Sequence, residues 1–227
     1  MPGTGILRPR LADGMRRLAG VRALPVLVLI CLSLPVAAQP LRYLSGEHYQ
    51  PLETPVTHAE DGRIHVVEFF LYSCPHCYAL DGVVQQWQRQ LPQDVVFRRV
   101  PVVFDNSSRF YARLFYTERE LGVFDQLHGR IFDAIHRHDR KLGNLAGARA
   151  FVEKQGIDGE RFERVLNSPA IDQRVARAEQ LTRAYRVRAV PSLGVAGRYR
   201  ITGRMAGGNE AMFDVADYLI ERRRDRR

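Results

Sequence analysis

Ile64-His65-Val66-Val67-Glu68-Phe69-Phe70 runs, after Leu71-Tyr72-Ser73, into Cys74-Pro75-His76-Cys77. The first seven residues are short, apolar and rich in β-branched and aromatic types, the composition of a buried strand. Pro75 stands where a helix would have its first residue; there its fixed φ suits the helix and its missing N–H costs nothing. Ala79, Leu80, Val83, Val84 and Trp87 then recur at helical intervals as far as Pro92, which stops the helix. A strand therefore feeds a helix whose first turn carries two thiols three residues apart, close enough to bridge. The helix N-terminus and its unpaired N–H groups favour a thiolate at Cys74. This is a site for thiol–disulfide chemistry.

Residues 1–38 read as a cleaved signal peptide. Arg8, Arg10, Arg16, Arg17 and Arg22 form a basic start, Ala23 to Val36 an apolar run, and Val36-Ala37-Ala38 a small-residue cleavage site before Gln39. Its removal takes Cys31, leaving Cys74 and Cys77 as the only cysteines of a chain sent to an oxidising compartment. It also takes five arginines and Asp13, so the net charge falls from +9 to +5. Much of that excess is the tail Glu221-Arg222-Arg223-Arg224-Asp225-Arg226-Arg227, read as a solvated helix end with cations at the negative pole of its dipole. Export and the lack of interleaved aromatics argue against nucleic acid as a partner. With no disulfide framework, stability must come from a core, for which the remaining length is ample.

Further along, Tyr43 to Glu53 predicts an N-terminal strand and turn, and Val95 to Phe104 a second strand after the helix. Pro101 gives that strand an edge position or an early end. Residues 107–168 are helical throughout. Phe110, Leu114 and Phe115 make one apolar stripe, Leu127, Ile131, Phe132 and Ile135 another, with Gly122, Gly143-Asn144 and Gly156 as breaks and Asp158 as an N-cap. A long helix from about Ala170 to Tyr185 precedes Val190-Pro191-Ser192-Leu193-Gly194-Val195. A tight turn at Ala196-Gly197 joins this to Arg198-Tyr199-Arg200-Ile201, and a last amphipathic helix carries Met212, Phe213, Val215, Ala216, Leu219 and Ile220. The order is βαβ, helical block, ββα, which one mixed sheet with helices on its faces accommodates.

With these pieces in place, the chain resembles the thioredoxin superfamily, and within it the DsbA group of periplasmic thiol:disulfide oxidoreductases. The resemblance rests on Glu68-Phe69-Phe70, Cys74-Pro75-His76-Cys77-Tyr78, Gly46-Glu47-His48-Tyr49, Ala189-Val190-Pro191 and Gly197-Arg198-Tyr199. It implies an α/β thioredoxin-like fold built from residues 39–106 and 169–227, with residues 107–168 as an inserted helical subdomain. Where the family often carries a lysine late in the second strand, this chain has Arg99, which can hold a charge beside Glu68 but cannot relay a proton.

Cys74 is the expected nucleophile and Cys77 the deeper thiol that closes the ring. A structural bridge over so short a loop would restrain the unfolded chain little, and zinc wants about four ligands where only two cysteines exist. His58, His65 and His76 have no ligand spacing with the pair. His76 is read as tuning the Cys74 sulfur, against a filler with no electronic effect. Glu68, amid apolar neighbours, is expected to be buried with a raised pKa; by resemblance it would exchange a proton with Cys77, against simple pairing with Arg99. Pro191 resembles the family's cis-proline facing the disulfide, against a trans proline opening an edge strand, and Val190 would present its backbone to substrate. Phe69, Phe70, Tyr72, Tyr78 and Trp87 are read as core and rim, and His128, His136 and His138 as exposed polar residues.

The expected function is donation of the Cys74–Cys77 disulfide to newly translocated proteins, in the periplasm, by a monomer needing no metal or organic cofactor. The resemblance implies a DsbB-like, quinone-linked membrane partner for reoxidation. The alternatives are a reductase or isomerase on the same scaffold, or a peptide-binding chaperone module in which the cysteines are incidental.

Overall fold

The computed structural model describes residues 42–59 and 61–226; the predicted leader lies outside them, as does Arg227. The apolar run becomes strand β2 (Ile64–Phe70), buried along its whole length. Such burial on both faces requires neighbours on both edges and layers above and below. β3 (Val95–Pro101) pairs parallel on one edge, and β4 (Ser192–Val195) antiparallel on the other. β5 (Tyr199–Thr202) follows β4 in a hairpin and pairs with β1 (Gln50–Pro51), giving the order β1-β5-β4-β2-β3. β3 is the sheet edge and stops at Pro101, so the proline serves both of the roles its position allowed.

Side chains alternate across β2. Ile64 and Val66 pack with Leu80, Val84 and Trp87 of α1 (Pro75–Gln90) and with Met212, Val215 and Leu219 of α8 (Ala211–Arg224). Val67 and Phe69 face Ala178 of α6 (Pro169–Ala184) and Tyr185 just beyond it. Phe70 reaches a third cluster, in the helices between β3 and α6: α2 (Asn106–Glu120), α3 (Phe124–His136), α4 (Leu145–Lys154) and α5 (Gly159–Leu166). Each large side chain so buried contributes roughly 1.5–3 kcal/mol. This is a thioredoxin-like fold with a helical insert. Glu68 falls between Val66 and Phe70 on the same face, at the seam of two cores.

Local chemistry explains the boundaries. Asp105 accepts from the Ser108 amide and Ser108 answers to the Asp105 amide, a reciprocal cap that starts α2. Asn144 caps α4, and Asp158 caps α5 as expected. The β4–β5 turn needs positive φ at Ala196 (54°) and Gly197 (65°). A Cβ on Gly197 would stand 2.0 Å from the Val56 carbonyl, so only glycine lets that segment close on the hairpin.

Two expectations need correction. The N-terminal strand is only Gln50–Pro51, because residues 44–49 fold into a turn that buries Tyr49 against the sheet. The arginine tail is partly anchored as well: Arg224 Nε donates to Asp94 at 2.8 Å and Arg222 to the Tyr49 hydroxyl at 2.6 Å. A one-turn helix, α7 (Gly203–Ala206), also follows β5 without a sequence signal read for it.

Candidate active site

Cys74 occupies the cap position of α1, with extended backbone, and Pro75 opens the helix. Cys74 is half-buried and Cys77 is 1% exposed; neither is bridged, so this is the reduced dithiol form. Pro75 and His76 are exposed at the surface of the turn. The loop before β4 returns to the same place: the Val190–Pro191 peptide is cis, and the Val190 carbonyl lies 3.6 Å from the Cys74 sulfur. Pro191 is buried and Val190 half-exposed beside the thiol.

The two thiols are electrostatically unequal. Cys74 is brought down to about 6, first by the hydrogen bond from Cys77, then, against the opposing effect of burial, by the amides of Cys77 and His76 and the charge of the His76 ring. Cys77 is held well above the ordinary thiol range by that same hydrogen bond, by burial, by the Cys74 charge and by Glu68. A thiolate sits at the surface and a proton sits beneath it.

Glu68 lies below Cys77 with a side chain that is 2% exposed. Burial pushes it up to about 7; Arg99 opposes this and Asp81 adds to it. Parallel register sets Glu68 directly opposite Arg99, whose Nε is 3.3 Å from Glu68 Oε2. The expected burial and raised pKa of Glu68 therefore coexist with its pairing with Arg99. Arg99 also donates to Asp81 of α1. Burial disfavours the Asp81 charge, but the hydrogen bond from His128 and the charge of Arg99 outweigh it and hold Asp81 below the carboxylate range.

The histidines of the insert correct the sequence reading. His128 is buried at 3% exposure, with Nδ1 2.6 Å from the Tyr72 hydroxyl and Nε2 3.3 Å from Asp81 Oδ1. His136 stacks on Tyr78 with ring centroids 5.0 Å apart, and its Nε2 is 2.7 Å from the Tyr72 carbonyl oxygen. Only His138 is exposed as expected. Sequence reasoning also passed over Asp81, which stands four residues after Cys77 on the same helix, and Glu118, whose carboxyl accepts from Tyr72. Glu118 and His128 each had a signal: Glu118 falls on the stripe of Tyr111, Leu114 and Phe115, and His128 on that of Ile131 and Phe132.

Comparison with known proteins agrees with this geometry. Residues 65–220 match the DSBA-like thioredoxin domain family. The thiol:disulfide interchange protein DsbA of Pseudomonas aeruginosa is 39% identical over 189 residues, covering 83% of this chain and 90% of that protein. Its namesake in Azotobacter vinelandii is 40% identical over 179 residues, 79% of this chain and 84% of the relative. The crystal structure of P. aeruginosa DsbA superposes with a TM-score of 0.78 at 38% identity, covering 81% of this chain and 95% of that one. The oxidoreductase DsbA of Xylella fastidiosa gives 0.74 at 31% identity over 79% of this chain and 97% of its own.

Proposed function

The chain belongs to the DSBA-like thioredoxin domain family and is a thiol:disulfide oxidoreductase, and from that premise we propose that it works in the oxidising direction, passing a Cys74–Cys77 disulfide to exported proteins in the periplasm. The observation that carries the direction is the contrast between the two thiols. A Cys74 thiolate held at about 6 is a good leaving group and stabilises the reduced enzyme, which makes the oxidised enzyme a willing donor.

The steps balance as follows. A substrate thiolate attacks the Cys74 sulfur, forms a mixed disulfide, and breaks the Cys74–Cys77 bond. Cys77 leaves with the electron pair and takes a proton from the Glu68 acid beneath it. The substrate's second thiolate then attacks its own sulfur in the mixed disulfide and expels Cys74 as the thiolate that the helix N-terminus and His76 stabilise. The substrate loses two electrons and the enzyme gains them. Val190, whose main chain borders the sulfur, is the natural rest for an extended substrate segment.

The reactive group is the cysteine pair itself, with no metal or organic cofactor required. Turnover needs an oxidant for the dithiol, which we assign to a DsbB-like, quinone-linked membrane protein. Equilibrating the protein against glutathione redox buffers tests the direction. A strongly oxidising potential is expected, and a thioredoxin-like, reducing one would overturn it in favour of a reductase.

A further inference from the structure

Glu118 has no part in the steps above, yet it is a carboxyl with 0% exposure at the centre of the helical insert. Its Oε1 meets the Tyr72 hydroxyl and its Oε2 has no hydrogen-bond partner. The Tyr72 hydroxyl in turn lies 2.6 Å from His128 Nδ1, and His128 Nε2 faces both Arg99 Nη1 at 2.5 Å and Asp81 Oδ1 at 3.3 Å. Arg99 Nε then reaches Glu68, under Cys77. A continuous chain of polar groups thus joins a carboxyl deep in the insert to the carboxyl of the active site. It crosses five elements: α2, the β2–α1 loop, α3, β3 and β2.

The geometry allows this chain two polarities. With Glu118 as an acid, its O–H donates to the Tyr72 oxygen, the Tyr72 O–H donates to His128 Nδ1, and His128 carries its proton on Nε2, directed to Asp81. With Glu118 as a carboxylate, Tyr72 donates to Glu118, His128 Nδ1–H donates to Tyr72, and Nε2 accepts from Arg99. A neutral imidazole has one N–H, so when the acid's proton is on Oε1, the oxygen that meets Tyr72, the state of one end fixes the other. We propose that Glu118 is a positioning residue for the thiol–disulfide reaction, setting through Tyr72 which nitrogen of His128 is protonated and hence whether His128 competes with Arg99 for Asp81 or accepts from Arg99 beside Glu68.

Protons are conserved in the switch. The Glu118 proton moves to the Tyr72 oxygen and the Tyr72 proton to His128 Nδ1. The Nε2 proton leaves through Asp81, whose side chain keeps 10% exposure, to water. Glu118 itself need never meet solvent. The charged and titratable groups facing it are Tyr72, His128, Arg99 and Asp81, with Arg119 on its own helix. Burial outweighs its hydrogen bond from Tyr72 and the nearby arginines and keeps Glu118 well above the carboxylate range, while burial holds His128 down and neutral. The contacts in place, Tyr72 donating to Glu118 and Arg99 to His128 Nε2, are those of the carboxylate polarity, and burial of Glu118 is what favours the acid one.

The inference rests on the reading of Cys74–Cys77 as the redox couple and Glu68 as its proton partner, and one experiment separates the two. In the full chain labelled with ¹⁵N-histidine, the His128 signal is identified by its loss in His128→Asn. The wild type is expected to pass from the Nε2–H tautomer to Nδ1–H with rising pH, as Glu118 ionises. The redox equilibrium should carry a matching step in its pH profile. Glu118→Gln, which cannot ionise, should lose both, and Glu118→Asp should recover them. Equal tautomers and equal profiles in wild type and Glu118→Gln would overturn the proposal. Should Glu118→Gln not fold, Tyr72→Phe removes the hydroxyl and keeps the ring; persistence of the switch there overturns it equally. A wild type without any redox equilibrium would instead defeat the reading of the dithiol, with the tautomer switch still measurable.

Discussion

The Val190 carbonyl lies 3.6 Å from the Cys74 sulfur, although 116 residues separate them. The contact closes the fold's two halves over one atom: β2 delivers the thiol at the start of α1, and β4, antiparallel to β2, delivers the peptide that faces it. Cys74 is thus reached from the surface beside an exposed stretch of main chain, whereas Cys77 is shut beneath. In the proposed reaction a substrate sulfur therefore meets Cys74 and not Cys77.

Cys77→Ala should therefore accumulate a mixed disulfide through Cys74 when offered an oxidised thiol reagent or protein, because the internal thiol that would release it is gone. Cys74→Ser should form none. Mass spectrometry of the trapped adduct checks both, and an adduct on Cys77 in the Cys74→Ser protein would contradict the assignment.

Cys74 should titrate near 6 in the reduced protein, followed by the ultraviolet absorbance of the thiolate. An ordinary thiol titrates at 9.0, so the folded value is depressed. The stability this group gives the reduced fold is complete above the unfolded value and is lost as pH falls through the folded one. Between those limits the gap in stability between reduced and oxidised protein should widen with rising pH. Denaturant melts of both forms at several pH values measure it.

Glu68 works with the opposite sign. Its folded value of about 7 stands above the ordinary 4.5, so its contribution is complete below 4.5 and is lost as pH rises through 7. At 1.36 kcal/mol for each pH unit, ionising it in place costs on the order of 3 kcal/mol. Glu68→Gln should be more stable relative to wild type at pH 8 than at pH 5, and slower in the step that protonates Cys77. A constant difference across that range would rule out a raised Glu68.

Much of this was legible in the chain because the signals were local. Pro75 after an apolar strand fixed the helix start, Trp87 and Val84 its buried face, and Glu68 within Ile64–Phe70 announced a carboxyl in a core. His128 was misread because it was grouped with His136 and His138 as a polar residue of the insert rather than placed on the stripe of Ile131 and Phe132. Its partners, Tyr72 and Arg99, lie 56 and 29 residues away. No periodicity predicts that contact; it exists because the insert folds back over the end of β2. The N-terminal strand failed for a related reason: Tyr49 satisfies its burial from a turn as well as a longer strand would.

Arg99 offers the sharpest stability test, since it stands between two carboxyls with a side chain only 6% exposed. Burial alone would lower its affinity for a proton, but Glu68 and Asp81 more than compensate. Removing one member of a buried ionic group leaves the others uncompensated, at about 3–5 kcal/mol. Arg99→Met should thus lower the unfolding free energy by that order at pH 8, where Glu68 is largely ionised. The loss should shrink toward pH 5, where Glu68 carries its proton and Asp81, without the arginine, keeps His128 and Gln85 as partners. Glu68→Gln combined with Arg99→Met should recover part of the loss at pH 8 and little at pH 5. Additive losses at both pH values would mean that Arg99 and Glu68, despite their 3.3 Å approach, are not energetically coupled.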